Sequence, residues 1–230
     1  MVAHIPVITV DGPSGAGKGT ISHMLADTLG WHFLDSGALY RVTGQACLIE
    51  GVSWDDHPAV TEVARHLDVS FTAAASGEIL VAYKGRDVSR DIRTEEGGRG
   101  ASTVATIASV REALLARQRE FRQPPGLVAD GRDMGTAVFP KADLKIFLTA
   151  SARERAERRY KQLIAKGESV SLPRLLEDIE ERDERDSNRE VSPLVPAEDA
   201  IVIDSTATPI EAVFDQVMQK VTERGLNSSR

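Results

Sequence analysis

One cysteine, Cys47, occurs in 230 residues, which excludes an intrachain disulfide and any metal site built from several thiolates. Set in Ala-Cys-Leu-Ile, it reads as a small buried hydrophobe. Aromatic side chains make up only 5% of the chain, too few for a platform on which single-stranded bases stack. Basic residues are outnumbered by acidic ones, 28 to 35, for a formal net charge of -7. A broad nucleic-acid surface, which needs excess lysine and arginine to displace counterions, is thereby excluded, and any basic function must be local. No apolar run approaches the ~18 residues of a membrane span. Met1 to Pro6 lacks a basic stretch followed by an apolar one and a cleavage site, so the expectation is a cytoplasmic, reduced protein with no membrane partner. Heptads and internal repeats are also missing, which leaves a monomer as the default.

What is present is an alternation of short buried runs with helical patterns. Ile5 to Val10 is β-branched without alternation, as in a strand covered on both faces of a parallel sheet. Ile21, Met24, Leu25, Thr28 and Leu29 follow at helical spacing up to Gly30. Leu127 to Asp130, Leu144 to Leu148 and Ile201 to Asp204 read as further buried strands, and Trp31 to Leu34 as a short one before a helix over Ala38 to Ile49. This order predicts an α/β fold, a parallel sheet flanked by helices. Leu67 to Thr72 and Ile79 to Lys84 alternate as antiparallel strands around Ala73 to Gly77, an inserted β-rich lobe. One helix is predicted over Ser102 to Arg122, ended by Pro124 and Pro125. Two charge-dense helices, Ala152 to Lys161 and Glu177 to Glu190, are either solvated faces or carriers of functional arginines.

Between the first strand and its helix stands Gly12-Pro13-Ser14-Gly15-Ala16-Gly17-Lys18-Gly19-Thr20. Glycines there let successive backbone N–H groups turn inward around phosphate oxygens, and Lys18 reaches the β and γ phosphates. The helix N-terminus adds its dipole, so an acidic protein can bind ATP by geometry. The usual hydroxyl directly after the lysine is replaced by Gly19, which leaves Thr20 as the candidate Mg²⁺ ligand. No Asn-Lys-x-Asp segment for reading guanine occurs.

Arginines appear in several separated segments: Arg41, Arg111, Arg132, Arg155, Arg158, Arg182 and Arg189. Moving a phosphoryl group between nucleotides gathers many negative oxygens, and guanidinium forks suit that task. Arg182, Asp186 and Arg189, at i, i+4 and i+7, share one helical face. No strong general base is evident, which fits an acceptor phosphate that is already deprotonated at neutral pH.

The phosphate loop, together with Leu34-Asp35-Ser36-Gly37-Ala38-Leu39-Tyr40-Arg41, Ala129-Asp130-Gly131-Arg132-Asp133-Met134-Gly135-Thr136 and Glu181-Arg182-Asp183-Glu184-Arg185-Asp186, closely resembles bacterial cytidylate kinases over nearly the entire chain. The resemblance implies a P-loop core over 1–37, 105–150 and 169–230, a nucleoside-monophosphate lobe over 38–104 and a lid over 151–168. It implies ATP as donor with Mg²⁺, and CMP or dCMP as acceptor. Gly12 to Thr20 would hold ATP, with Arg155 and Arg158 brought onto it by the lid. Ser36, Arg41 and Arg132 would clamp the acceptor phosphate, flanked by Asp35 and Tyr40. Ser102, Arg111 and Asp133 would meet the cytosine, Arg182 and Asp186 the sugar, and Arg189 the transferring phosphate. Lys18, Arg132, Arg158 and Arg189 are the expected catalytic groups. Asp35 or Ser36 could instead cap a helix, and Tyr40 could be ordinary packing. Asp130 either supports magnesium through water or caps a turn. The competing functions are a kinase for AMP, UMP or shikimate, and a nucleotide-dependent switch.

Overall fold

Every residue of strand β1, Val7–Asp11, is buried, as a strand covered on both faces requires. The computed structural model describes residues 4–73 and 79–227. The turn expected over Ala73 to Gly77 lies, beyond its first residue, outside them. Strand β1 leads through the glycine-rich loop into helix α1, Lys18–Leu29, and then to β2, His32–Asp35. After a long intervening segment come β6, Leu127–Asp130, and β7, Leu144–Thr149, and finally β8, Ile201–Asp204. These five pair in the order β2-β6-β1-β7-β8, and every pairing is parallel. Helices α6, Ala152–Ala165, α7, Leu172–Asn188, and α8, Ile210–Glu223, follow the sheet's later strands.

One face of the sheet is sealed by aliphatic side chains. Ile8 and Val10 of β1, Ile146 and Leu148 of β7, and Ile21 and Leu25 of α1 are at most 1% exposed, and Val213, Val217 and Val221 of α8 join them at i, i+4 and i+8. Each such burial contributes about 1.5–3 kcal/mol over exposure. Because β1 is central, the loop at its C-terminal end is held by a buried aliphatic core.

The chain divides into two units, one formed by the stretch up to Asp35 with that from Arg119 onward, the other by Ser36–Gln118. The sequence expectation placed the inserted lobe's limits at 38 and 104. The second unit holds α2, Ser36–Glu50, α3, His57–Arg65, a three-stranded antiparallel sheet of β3, Val69–Ala73, β4, Ile79–Tyr83, and β5, Arg86–Asp87, then α4, Glu95–Val104, and most of α5, Ala108–Glu120. Sequence periodicity missed α3, although Asp56 accepts from the Ala59 N–H at 3.1 Å and Pro58 stands in the first turn, both start signals.

The single helix expected over Ser102 to Arg122 is in fact two. Helix α4 begins earlier, where the Thr94 hydroxyl accepts from the Gly97 N–H, and stops at Val104. At the break the Thr106 hydroxyl donates to the Thr103 carbonyl at 2.7 Å, and Arg111 donates to the Ala105 carbonyl at 3.2 Å. Those carbonyls are satisfied by side chains, so the helix can end without leaving them orphaned. The apolar positions Val104, Ile107, Val110 and Leu114 are all buried across the break, which is why spacing alone could not see it.

Candidate active site

The backbone of the phosphate loop excludes side chains where it passes β7. Gly12 has φ +142°, and a Cβ there would lie 1.9 Å from the Leu148 carbonyl oxygen, inside van der Waals contact. Glycine is the residue that permits this turn. Helix α1 then opens at Lys18 with no acidic side chain of its own in the first turn. Lys18 itself is buried, and its Nζ donates to the Pro13 carbonyl at 2.9 Å. Burial pulls the lysine down to about 8, helped by Arg132 and Arg182 and opposed by Asp130 and Asp11.

Several of the predicted arginines converge around this loop. Arg155 of α6 is 3% exposed and gives its fork to Asp183 of α7, with Nη1 at 3.0 Å from Oδ1 and Nη2 on Oδ2. The same Nη1 reaches the Ser14 carbonyl at 3.0 Å, while Nε donates to the Ala150 carbonyl at 2.9 Å. Arg182 brings Nη1 to 3.5 Å from the Ser14 hydroxyl. Arg158 donates to Glu154 at 2.9 Å and to the Ser205 carbonyl at 2.5 Å. The Ser205 hydroxyl lies 3.0 Å from the Ala16 carbonyl, so Arg158 is linked to the loop through one residue.

A second group gathers around Asp186. Arg132 donates through Nε to its Oδ2, and Arg189 Nη1 stands 3.9 Å from its Oδ1. Burial disfavours the charged carboxylate of Asp186, but Arg132, Arg182 and Arg189 together outweigh it and hold its pKa below the usual range. For Asp130 burial wins: its carboxyl rises to about 7, with Asp35 and Asp11 adding to the rise and Lys18 and Arg132 opposing it. Asp11 also rises to about 6 through burial, although the Gly135 and Met134 amides donate to it. Asp133 is buried at the start of a short π-helical turn, Met134–Val138. Thr20 is exposed, at the first turn of α1.

In the second unit, the Arg111 guanidinium lies 5.4 Å from the centre of the Tyr40 ring, and both are buried, so Tyr40 is a cation–π partner as well as packing. Arg41 donates to the Ile92 carbonyl at 2.8 Å. Ser36 and Ser102 are buried, on α2 and α4. A groove along Asp56, His57, Thr61, Glu62, Arg65 and Ser109 contains none of the predicted site residues.

Sequence reasoning missed Asp11, Asp183 and Ser205. Asp183 stands inside the Arg-Asp-Glu-Arg-Asp run, where an acid directly after each arginine is a legible signal. Ser205 had none.

The family model described as "Cytidylate kinase" matches residues 8–223. Among curated relatives, a cytidylate kinase of Stutzerimonas stutzeri is 56% identical over 227 residues, covering 98% of this chain and 99% of that protein. That of Aeromonas hydrophila is 59% identical over 213 residues, covering 93% and 92%. A relative from Pseudomonas putida, also named cytidylate kinase, is 56% identical over 222 residues, covering 96% and 97%. With a phosphate loop closed by lysine and ringed by guanidinium groups, and with near-full-length relatives at this identity, the chain belongs to the cytidylate kinase family.

Proposed function

We propose that the protein transfers the γ-phosphoryl group of ATP to CMP or dCMP, giving ADP and CDP or dCDP. The observation that carries this reading is the crowding of Lys18, Arg132, Arg155, Arg182 and Arg189 around one glycine loop and one carboxylate pair within a protein of net charge -7. Such a concentration of cations is costly unless polyanions complete it. Gly12 to Thr20 take the ATP phosphates on backbone amides, and Lys18 bridges the β and γ groups. An oxygen of the acceptor phosphate attacks the γ-phosphorus while the bond to the β-phosphate oxygen breaks, and ADP leaves with the electron pair. Arg132, Arg158 and Arg189 neutralise the charge that spreads over the moving group.

The acceptor is read by Asp35, Ser36, Tyr40, Arg41 and Arg132 at its phosphate. Ser102, Arg111 and Asp133 take the base, Arg182 and Asp186 the sugar, with Asp130 beside them. Residues Ser151 to about Glu168 serve as a lid that keeps water from the reacting phosphate. The residues present fit Mg²⁺. A side chain begun on Gly19 would lie 3.5 Å from Asp130 Oδ2, and this carboxyl, raised by burial and by acidic neighbours, is relieved by a cation. Magnesium commonly takes one or two carboxylates and keeps its waters and phosphates. Asp130, through water, and Thr20 would hold it, and when bound it draws charge from the phosphate oxygens. The protein acts as a cytoplasmic monomer on free nucleotides and not on nucleic acid; its acidic balance supports the last of these.

The test is an acceptor panel of CMP, dCMP, AMP, UMP and shikimate with ATP and Mg²⁺, monitored by ADP release. CMP and dCMP are expected to stimulate release far above the others. Stimulation by another acceptor, or slow release that no acceptor changes, overturns the proposal.

A further inference from the structure

The middle of the parallel sheet contains charged side chains that phosphate binding leaves unexplained. Ile8 and Val10 of β1 enter the aliphatic core, so Thr9 and Asp11 occupy the opposite face by alternation. Lys145 of β7 stands in register with Thr9 and is also buried. Buried charges need close partners. Lys145 finds the Pro140 carbonyl at 2.8 Å and Asp199 at 2.7 Å.

Asp11 finds backbone. Its Oδ1 accepts from the Met134 N–H and its Oδ2 from the Gly135 N–H, both at 2.8 Å. These are the first two residues of the π-helical turn, a form that marks functional positions more often than ordinary helix. The turn can sit this deep because Gly135 has no side chain. A Cβ there would meet Thr9 Oγ1 at 2.9 Å, Lys145 Cδ at 3.1 Å and Asp11 Oδ2 at 3.3 Å. Immediately before the turn come Arg132, paired with Asp186, and the buried Asp133. The other end of that connection is fixed by the sheet, where the Gly131 N–H donates to the Val10 carbonyl at 3.1 Å. The segment from Gly131 to Asp133 is therefore stretched between two anchors on β1, one of backbone and one of carboxylate.

We propose that Asp11 is a positioning residue of the acceptor site, which aims the Arg132 guanidinium by gripping the two amides that follow Asp133. The inference rests on the reading of Arg132 as a ligand of the acceptor phosphate. Asp11→Asn preserves shape but replaces one acceptor oxygen by an amino group facing a backbone N–H, so the grip is halved. Asp11→Ala removes it, and Gly135→Ala pushes the turn outward while leaving the carboxylate in place.

The experiment measures KM for CMP at saturating ATP and KM for ATP at saturating CMP, with circular dichroism checking the fold of each variant. Asp11→Asn is expected to raise KM for CMP about ten- to hundredfold, the cost of misplacing a binding group by about an ångström. KM for ATP should stay within about twofold, Asp11→Ala should be worse, and Gly135→Ala should show the same selectivity. Combined with Arg132→Lys, Asp11→Asn should add little, because both act on one contact. Equal rises in both KM values, or effects that multiply in the double variant, overturn the inference. An unmodified protein that CMP does not stimulate overturns the acceptor reading and this inference with it. A normal unmodified protein whose Asp11→Asn and Gly135→Ala variants keep their KM for CMP overturns the inference alone.

Discussion

Lys18 and the surrounding guanidinium groups differ in how freely they give up charge. An arginine stays protonated at any relevant pH, whereas the buried Lys18 is pulled to about 8 and is held cationic partly by Asp130 and Asp11. Lys18→Ala is expected to leave the circular dichroism unchanged, since the side chain gives up one hydrogen bond, to Pro13. Turnover should fall by about 10³ or more, as when a preorganised charge stabiliser is removed; an ADP-release rate within tenfold of the unmodified protein would remove Lys18 from the chemistry. Arg158→Ala should lower kcat with a smaller change in KM for CMP, because its contacts run to Ser205 and through it to the loop carbonyl of Ala16. An unchanged kcat would place it outside the site. Glycine geometry and a following lysine are local demands, so Gly12 to Thr20 could be read from nine consecutive residues. Asp11 could not, because its partners Met134 and Gly135 are 123 and 124 residues away and only folding brings them together.

At the level of elements, the charge-dense helix α6 carries both solvated and buried arginines. Arg153 and Glu157 on α6 pair at 3.1 Å with the arginine 82% exposed, a solvated contact worth about 0–1 kcal/mol. Arg155, two residues on, is buried and joins α6 to Asp183 of α7 and to the Ser14 carbonyl. A bidentate fork cannot be replaced by a point charge. Arg155→Lys is accordingly expected to raise KM for ATP about tenfold, and Asp183→Asn to do the same, while Arg153→Ala changes neither activity nor melting temperature measurably. Equal behaviour of the two arginines in a kinetic and melting comparison would contradict the assignment. Spacing marked where α6 and α7 lie but not which of their arginines face inward, because hydrophobic periodicity is weak in helices so rich in charge. The same kind of limit hid the end of α4: the buried positions continue in phase through Ala105 to Ile107 while the backbone hydrogen bonds do not.

Across the whole molecule, the electrostatics of Lys18 and the two acids beside it, Asp11 and Asp130, run against stability. Asp11 and Asp130 have folded values of about 6 and 7, above the ordinary 3.8. A carboxyl raised on folding contributes stability at low pH that is lost as pH rises through its folded value. Lys18, lowered from 10.5 to about 8, contributes stability above 10.5 that is lost as pH falls towards 8. The two trends meet near neutrality, so the melting temperature should dip around pH 7–8 and recover towards pH 5.5. ATP with Mg²⁺ should fill the dip by supplying both anion and cation. Differential scanning fluorimetry across that range, with and without nucleotide, checks this, and a plateau that nucleotide raises uniformly would count against it. Parallel pairing of the sheet was legible from buried runs separated by helices, whereas the strand order and this charge balance required the fold, which shows which acids share one end of β1 and β6.

The lowered affinity of Lys18 for its proton has a chemical corollary. Burial leaves a larger share of these amines as the free base near neutrality than in a lysine of ordinary basicity. Among the lysine amines Lys18 should then be the most nucleophilic, and a small acylating reagent should tag it before the others wherever it can reach the glycine loop. Peptide mass mapping would find the label at one place, and ATP added beforehand would protect it.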